Sequence, residues 1–167
     1  LDKYAAALAL LLGLGAILGA WGSQIFGGLV PCELCWEQRT PYYYGLPILA
    51  VVLLLWNRLP LAVWYIAMAI IAAIFAWSTY LGAYHAGVEW GWWPGPTACT
   101  GSGGGTSLGE LEAFRTGSGD VAHIVPCDEV QFRFLGISLA GYNALVSAAI
   151  VVLVGLAAWW QAKRVRR

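Results

Sequence analysis

Four cysteines, arranged as two pairs, are the residues of this chain with the clearest chemistry. Cys32 and Cys35 form a C-x-x-C directly before an apolar segment, and Cys99 and Cys127 bracket a Gly-rich polar stretch. A C-x-x-C cycles readily between dithiol and disulfide, and its surroundings can lower the pKa of one thiol. Where an apolar segment meets water, such a pair can take electrons from an aqueous partner and pass them into the lipid. The pattern predicts a redox relay in a membrane.

The composition indicates a membrane protein. Hydrophobic residues make up 60% of the chain and charged residues 11%, with a mean hydropathy of +0.69, against about 45–50% and about 25% in soluble domains. Runs without Lys, Arg, Asp or Glu reach 18 residues after Arg39 and 30 residues after Arg58, and about 20 residues cross a hydrocarbon core. We therefore predict an all-α membrane protein that forms a single domain over residues 1–167. Its four-transmembrane-helix bundle is expected at residues 4–26, 41–56, 61–84 and 138–160.

The distribution of Lys and Arg predicts the orientation. With a cytoplasmic N-terminus, six of these residues fall on the inner side and three on the outer side. The positive-inside rule then predicts that both termini and residues 57–60 are cytoplasmic. The outer loops are residues 27–40 and 87–136, so all four cysteines face a compartment in which disulfides persist. The first apolar run is longer than that of a signal peptide, so we expect a retained helix.

The long outer loop carries a possible helix start. Ser107 and Glu110 have the spacing of a capping box, and Leu108, Leu111 and Phe114 follow at intervals of three. This pattern predicts a short amphipathic helix lying on the headgroup layer. A disordered tether with incidental apolar residues is the alternative.

Small residues form a stripe on the first apolar segment. Gly13, Gly15 and Gly19 are accompanied by Ala16 and Ala20. Such stripes are typical of closely packed membrane helices, and we expect close packing here rather than a ligand surface.

The residues around the C-x-x-C favour a reactive thiolate. Pro31 precedes the motif, so we expect the second helix to begin there and to place Cys32 and Cys35 at its N-terminus. The unpaired N–H groups and the helix dipole favour an anion at that position. Arg39 follows Cys35 by four residues and shares its helix face, which brings a permanent positive charge towards the sulfur. Arg39 can also be read as an arginine that extends to the membrane interface, and the two roles are compatible.

These residues carry a resemblance to a known family. The chain resembles the DsbB family (disulfide bond formation protein B, bacterial inner-membrane thiol:quinone oxidoreductases) in the run PCELCWEQR at residues 31–39. The resemblance covers essentially the whole chain, because it includes four helices, a cysteine pair in the second outer loop and the run FLG at residues 134–136 before the last helix. The family varies between Glu and Gln before the arginine, and Gln38 excludes a carboxylate at that place.

The resemblance implies how the cysteines work together. It implies two redox-active disulfides, Cys32–Cys35 and Cys99–Cys127, on the periplasmic side of a bacterial inner membrane. Cys99 would form the mixed disulfide with a DsbA-type periplasmic oxidant of the thioredoxin fold. The C-x-x-C would then reoxidise the loop pair through a bond between Cys32 and Cys127.

The resemblance also implies a quinone site. Cys35 would face a bound ubiquinone or menaquinone, supported by Arg39. His85 matches a family histidine that lies by the quinone; an interfacial hydrogen-bonding histidine is the other reading. The expected partners are the soluble oxidant, the membrane quinone and the lipid bilayer, with no nucleic acid and no metal.

Two alternatives to this relay use the same cysteines. The four cysteines could hold a structural zinc, although Cys99 and Cys127 are 28 positions apart and do not form a second zinc knuckle. A relay of the vitamin K epoxide reductase type also pairs a C-x-x-C with loop cysteines, but its C-x-x-C follows much of the bundle instead of opening the second helix. The sequence does not separate ubiquinone from menaquinone.

Overall fold

Four long helices make up most of the structure, a computed structural model that describes residues 1–96, 127–128 and 130–166. They are α1 (Asp2–Ile25), α2 (Glu33–Leu54), α3 (Leu61–Glu89) and α4 (Leu139–Val165). A hairpin of β1 (Arg133–Phe134) and β2 (Ile137–Ser138) precedes α4. Cys99 and the helix predicted near residues 107–114 lie outside the described residues, so both predictions stay untested.

The helices enclose one core. Helix α4 packs against α1 and α3, and α2 packs against the same two helices. Short connections make α1, α2 and α3 antiparallel neighbours in turn. Arg164 near the end of α4 binds Asp2 at the start of α1, and Gly82 near the end of α3 lies against Ala144 near the start of α4, so α4 is antiparallel to both. The starts of α2 and α4 therefore meet the ends of α1 and α3 at one end of the bundle, which we call the cysteine end. The core consists of apolar side chains from all four helices, among them Ala6, Ala9, Leu49, Ile71, Phe75 and Ile150.

Three of the helices are suited to crossing a membrane. Helices α1, α3 and α4 are long and apolar enough by composition, and they expose large apolar side chains such as Leu11, Ile66 and Val152. Apolar side chains that face outward on a bundle are expected where the surroundings are lipid. Helix α2 is not apolar enough over its whole length to be counted with these three, because its first two turns are polar and include Glu37 and Arg39. The fourth span predicted at residues 41–56 stays a prediction.

The helix boundaries differ from the predicted membrane segments at several ends. The expected start of the second helix at the C-x-x-C is confirmed, because Cys32 is the N-cap of α2. Helix α3 continues to Glu89 instead of ending at residue 84, and α4 continues to Val165 instead of residue 160. Gaps between charges locate the apolar part of a helix, but its polar ends extend past that part. The longer α3 matters because its last turns carry His85 and Glu89.

The packing prediction for the small-residue stripe is only partly right. A Cβ at Gly13 would collide with Leu46, so this glycine does allow close packing of α1 on α2. A Cβ at Gly15 or Gly19 would meet no atom within 4 Å, and both residues line a cavity. At these two positions the stripe borders open space instead of a neighbouring helix.

A close backbone approach brings α3 to α4. A Cβ built at Gly82 would lie 2.7 Å from the backbone nitrogen of Ala144. Only glycine permits this separation, because real Cβ atoms do not approach backbone so closely. The contact holds the last turns of α3 against the first turns of α4.

Candidate redox site

The two cysteines of the C-x-x-C lie side by side at the N-terminus of α2. Both are free thiols in the structure, and their Sγ atoms are 2.6 Å apart. The Cys32 sulfur also accepts a hydrogen bond of 3.3 Å from the backbone N–H of Cys35, which is an N-cap bond made by sulfur. The helix start thus holds the two thiols together and directs one backbone donor at Cys32.

The surroundings give the two thiols opposite acidities. Both precede the predicted membrane segment at residues 41–56. The hydrogen bond from the Cys32 thiol is the largest factor that holds the pKa of Cys35 below its ordinary value, and the Arg39 guanidinium also lowers it. The same hydrogen bond, together with burial, raises the pKa of Cys32. Cys35 is therefore the more acidic thiol of the pair and the one that ionises first.

Arg39 is held against α1. Its side chain is buried, with the residue 8% exposed. Nη1 donates to Gln24 Oε1 at 2.7 Å and Nη2 to the Ala20 carbonyl at 3.5 Å, while the guanidinium carbon lies 4.9 Å from the centre of the Trp36 ring. The cation is buried and does not project from the bundle. It is fixed on the wall of the cavity that Cys35 also lines.

His85 extends from α3 to the cysteines of the C-x-x-C, which we call the redox pair. The residue is 3% exposed, and its Nε2 lies 3.8 Å from the Cys32 sulfur. Its Nδ1 is 2.6 Å from Gln38 Nε2. The Glu89 carboxylate, one turn further along α3, lies 3.8 Å from the same His85 Nε2. The sequence-predicted histidine is thus placed at Cys32 within the buried part of the site.

The segment between α3 and α4 brings Cys127 to the same point. Cys127 is 1% exposed and takes part in a disulfide. Its Sγ, the Sγ of Cys32 and a ring nitrogen of His85 lie within 4.8 Å of one another. The Gln131 side chain exchanges two hydrogen bonds with the backbone of Val30, at 3.1 and 2.6 Å, and so ties the second loop to the chain just before Cys32. The predicted Cys99–Cys127 pairing stays a prediction.

This cluster is a poor metal site in the state described. A metal ligand must be a thiolate or an imidazole nitrogen with a free lone pair. Cys127 is disulfide-bonded, and both ring nitrogens of His85 already face neighbours, Gln38 at Nδ1 and Cys32 at Nε2. The residues fit sulfur exchange better than metal binding.

A cavity of about 690 Å³ opens beside Cys35. Its lining combines polar side chains around the two cysteines with an apolar length of small and apolar residues from α1 and α4. The polar lining consists of Cys32, Cys35, Gln38, Arg39, His85, Glu89 and Asn143, and the apolar length of Gly15, Ala16, Ile17, Gly19, Leu139, Ala140 and Val146. A site of this size and lining suits a small organic molecule with a polar head and an apolar tail.

Three polar residues of the site were not predicted from the sequence as site residues. Gln38 bridges His85 and Asn143, although the sequence indicated only that it is not a carboxylate. Asn143 is a polar residue within an apolar helix, and that rarity could have marked it. Glu89 is buried, and among the described residues its Oε2 has no hydrogen-bond partner. A carboxylate therefore does reach the site, from α3 and not from position 38.

Three apolar helices, with two free thiols beside a buried, disulfide-bonded cysteine, define a membrane protein equipped for thiol–disulfide chemistry. The family model described as "Disulfide bond formation protein DsbB" matches residues 2–157. The chain belongs to the DsbB family, and the resemblance seen at residues 31–39 is confirmed. Family membership makes it a disulfide-forming membrane oxidoreductase. No curated protein and no solved structure shows significant similarity to the chain.

Proposed function

We propose that this protein is a thiol:quinone oxidoreductase that reoxidises a periplasmic DsbA-type oxidant. Electrons would pass from the oxidant to the loop pair Cys99–Cys127, then to Cys32–Cys35, and finally to ubiquinone or menaquinone. The protein would thereby keep supplying disulfides to the compartment outside the membrane.

The position of Cys32 is the observation that carries this proposal. Its sulfur lies within 4.8 Å of the Cys127 sulfur on one side and 2.6 Å from the Cys35 sulfur on the other. Thiol–disulfide exchange needs direct attack of one sulfur on another. Because one sulfur borders both partners, electrons can move from the loop to the cavity by two short exchanges.

The cavity supports a quinone as the electron acceptor. A lipid quinone has an oxygen-bearing ring and a long apolar tail, and it supplies a two-electron acceptor when bound. Arg39 would hold the ring end beside Cys35, and His85 would border the ring from the cavity wall. Gly15 and Gly19 leave the neighbouring apolar length open, since a Cβ at either position would meet nothing within 4 Å.

The redox energetics also call for a strong oxidant. Thioredoxin-like dithiols have potentials of about −270 mV, whereas the periplasmic oxidant DsbA lies at about −120 mV. Moving two electrons from that oxidant to an ordinary C-x-x-C would be uphill by roughly 7 kcal/mol, at about 1.4 kcal/mol per 30 mV. The DsbA–DsbB–quinone chain is a known property of the family in the bacterial periplasm, and this chain has the residues to take part in it.

We further propose a single membrane domain with four spans in the bacterial inner membrane. Both termini would be cytoplasmic and the cysteine end periplasmic. The excess of Lys and Arg near the termini supports this orientation. The polar first turns of α2 would lie at the outer surface, with the span itself starting near Pro41.

A quinone-reduction assay tests the proposal. The full-length protein in nanodiscs is mixed with a reduced thioredoxin-fold oxidant and a ubiquinone or menaquinone analogue, and quinone absorbance is followed. We expect turnover in the wild type, none in Cys35→Ser or Cys32→Ser, and blocked partner oxidation in Cys99→Ser. Thr40→Ala is the matched control on the same helix and should turn over normally. Full activity in Cys35→Ser would exclude the proposed route.

A further inference from the structure

A chain of side-chain amides connects α4 to the redox pair. Asn143 Nδ2 lies 2.8 Å from Gln38 Oε1, and Gln38 Nε2 lies 2.6 Å from His85 Nδ1. His85 Nε2 then faces the Cys32 sulfur at 3.8 Å. At its other end the chain continues from Asn143 Oδ1 to the Tyr42 hydroxyl at 2.6 Å.

One backbone carbonyl fixes the donor and the acceptor of every hydrogen bond in this series of side chains. Gln38 Nε2 also lies 3.3 Å from the Leu34 carbonyl oxygen, which can only accept a hydrogen bond. The Gln38 atom that faces it must therefore be the amide NH₂, and the reverse orientation would set two oxygens against each other. The Gln38 oxygen then faces Asn143, so Asn143 must donate through Nδ2.

The same constraint fixes the proton of His85. Because the Gln38 NH₂ donates to His85 Nδ1, that nitrogen must be the acceptor and carries no proton. A neutral imidazole then has its proton on Nε2, the nitrogen that faces Cys32. The Glu89 carboxylate is also 3.8 Å from Nε2, which is too long for an N–H···O hydrogen bond. The backbone of Cys127 also hydrogen-bonds to His85. Because sulfur accepts at longer distances, the Cys32 sulfur at 3.8 Å can share the Nε2 proton with that backbone group.

We propose that His85 is a catalytic hydrogen-bond donor to the Cys32 sulfur during its exchange with Cys127, and that Gln38 and Asn143 are positioning residues that keep the His85 proton on Nε2. This inference rests on the proposed function, because it assigns a role within the sulfur relay. It gives His85 a task in sulfur exchange in addition to its place on the cavity wall.

The exchange has two balanced steps. The Cys127 thiolate attacks the Cys32 sulfur of an oxidised C-x-x-C, which forms a Cys32–Cys127 bond, breaks Cys32–Cys35 and leaves the electron pair on Cys35. The Cys99 thiolate then attacks Cys127, which forms Cys99–Cys127, breaks Cys32–Cys127 and leaves the electron pair on Cys32. Of the two protons that the loop thiols release, one ends on Cys32 and one goes to solvent.

The second step is where a donor at Cys32 matters. Cys32 departs as an anion, and the acidity of the departing thiol sets the rate of exchange. Burial and the neighbouring Cys35 raise the pKa of Cys32, which makes it a slow leaving group without help. The backbone N–H of Cys35 already donates to this sulfur, and Arg39 is directed to α1 and the cavity. The His85 N–H is the side-chain donor that the described residues place beside Cys32.

The test measures the His85 tautomer and the exchange rate separately. Full-length protein freed of quinone is labelled with ¹⁵N-histidine in a His123→Gln background, which removes the second histidine, and NMR reports which ring nitrogen carries the proton. We expect Nε2–H in the wild type. Gln38→Glu replaces the donor at Nδ1 with an acceptor and should move the proton to Nδ1, and Asn143→Leu should give a mixture. Ser147→Ala keeps the Asn143–Gln38 bond and should retain Nε2–H.

The exchange rate is measured by mixing each oxidised protein with a reduced thioredoxin-fold oxidant, quenching in acid and mapping the Cys32–Cys127 peptide over time. Losing a hydrogen bond to a developing anion should slow its decay about tenfold or more in Gln38→Glu, with Ser147→Ala unchanged. An Nδ1–H tautomer in the wild type overturns the inference, and so does an unchanged decay in Gln38→Glu. Normal exchange without quinone reduction would instead contradict the proposed function and leave this inference standing.

Discussion

Arg39 offers a quantitative test of the cavity as a quinone site. The guanidinium has five N–H groups, and the structure shows two of its nitrogens engaged, with Gln24 and with the Ala20 carbonyl. The remaining N–H groups are free to donate to a ring oxygen in the cavity. A hydrogen bond from a charged donor contributes about 1.5–3 kcal/mol. Since 1.4 kcal/mol is a factor of ten, Arg39→Met should raise the KM for quinone roughly 10- to 150-fold.

The assay is steady-state quinone reduction at a saturating concentration of reduced partner. Arg39→Lys keeps the charge but loses the planar fork, so its KM should lie between those of the wild type and Arg39→Met. Gln24→Leu is the matched control, because it breaks the same tie to α1 while keeping the cation. Arg58→Met removes an exposed cation elsewhere. An unchanged KM in a folded Arg39→Met protein, or an equal rise in Gln24→Leu, would refute the reasoning.

The thiol acidities, the cavity wall and the polar core each give a further prediction. The pKa of Cys35 is lowered and that of Cys32 is raised. Protein with a reduced C-x-x-C and an intact disulfide at Cys127 should therefore react with one equivalent of iodoacetamide, at Cys35, at pH values below the ordinary thiol pKa. The rate should fall as the pH drops through the lowered pKa, and peptide mapping that finds Cys32 labelled first would contradict the assignment. Gly15→Leu fills the open cavity wall and should raise the KM for a long-tailed quinone more than the KM for a tail-less analogue. Gly22→Leu adds a side chain on the same helix but away from the cavity, so it should leave both KM values unchanged. Tyr42→Phe removes hydrogen bonds of 2.6 and 2.9 Å and should lower the free energy of unfolding by about 1 kcal/mol, as measured by detergent-mediated unfolding.

The features that could be predicted from the sequence are local ones. Gaps between charges located the apolar helices, because a helix needs an uncharged run of about 20 residues to cross the hydrocarbon core. The proximity of Arg39 to Cys35 followed from their spacing of four residues on one helix. The position of Cys32 at a helix start followed from Pro31 and the apolar run beyond the motif.

The features that could not be predicted depend on contacts between distant elements. Cys127 reaches Cys32 because Gln131 binds the backbone of Val30 across 101 positions, and no periodicity reports such a contact. The His85–Gln38 bond joins two helices whose relative rotation depends on core packing. Gly15 illustrates the same limit, because a small residue permits close packing but also permits a cavity.

The central claim is that Cys32 is the sulfur through which the loop disulfide and the C-x-x-C communicate. The most direct measurement is disulfide mapping of the Cys99→Ser variant by mass spectrometry, after alkylation of free thiols in the intact membrane protein. Without Cys99 to release it, the bond between Cys127 and the C-x-x-C should accumulate. The account predicts a Cys32–Cys127 linkage with a free, alkylated Cys35. A Cys35–Cys127 linkage, or no linkage in a protein whose wild type reduces quinone, would contradict it.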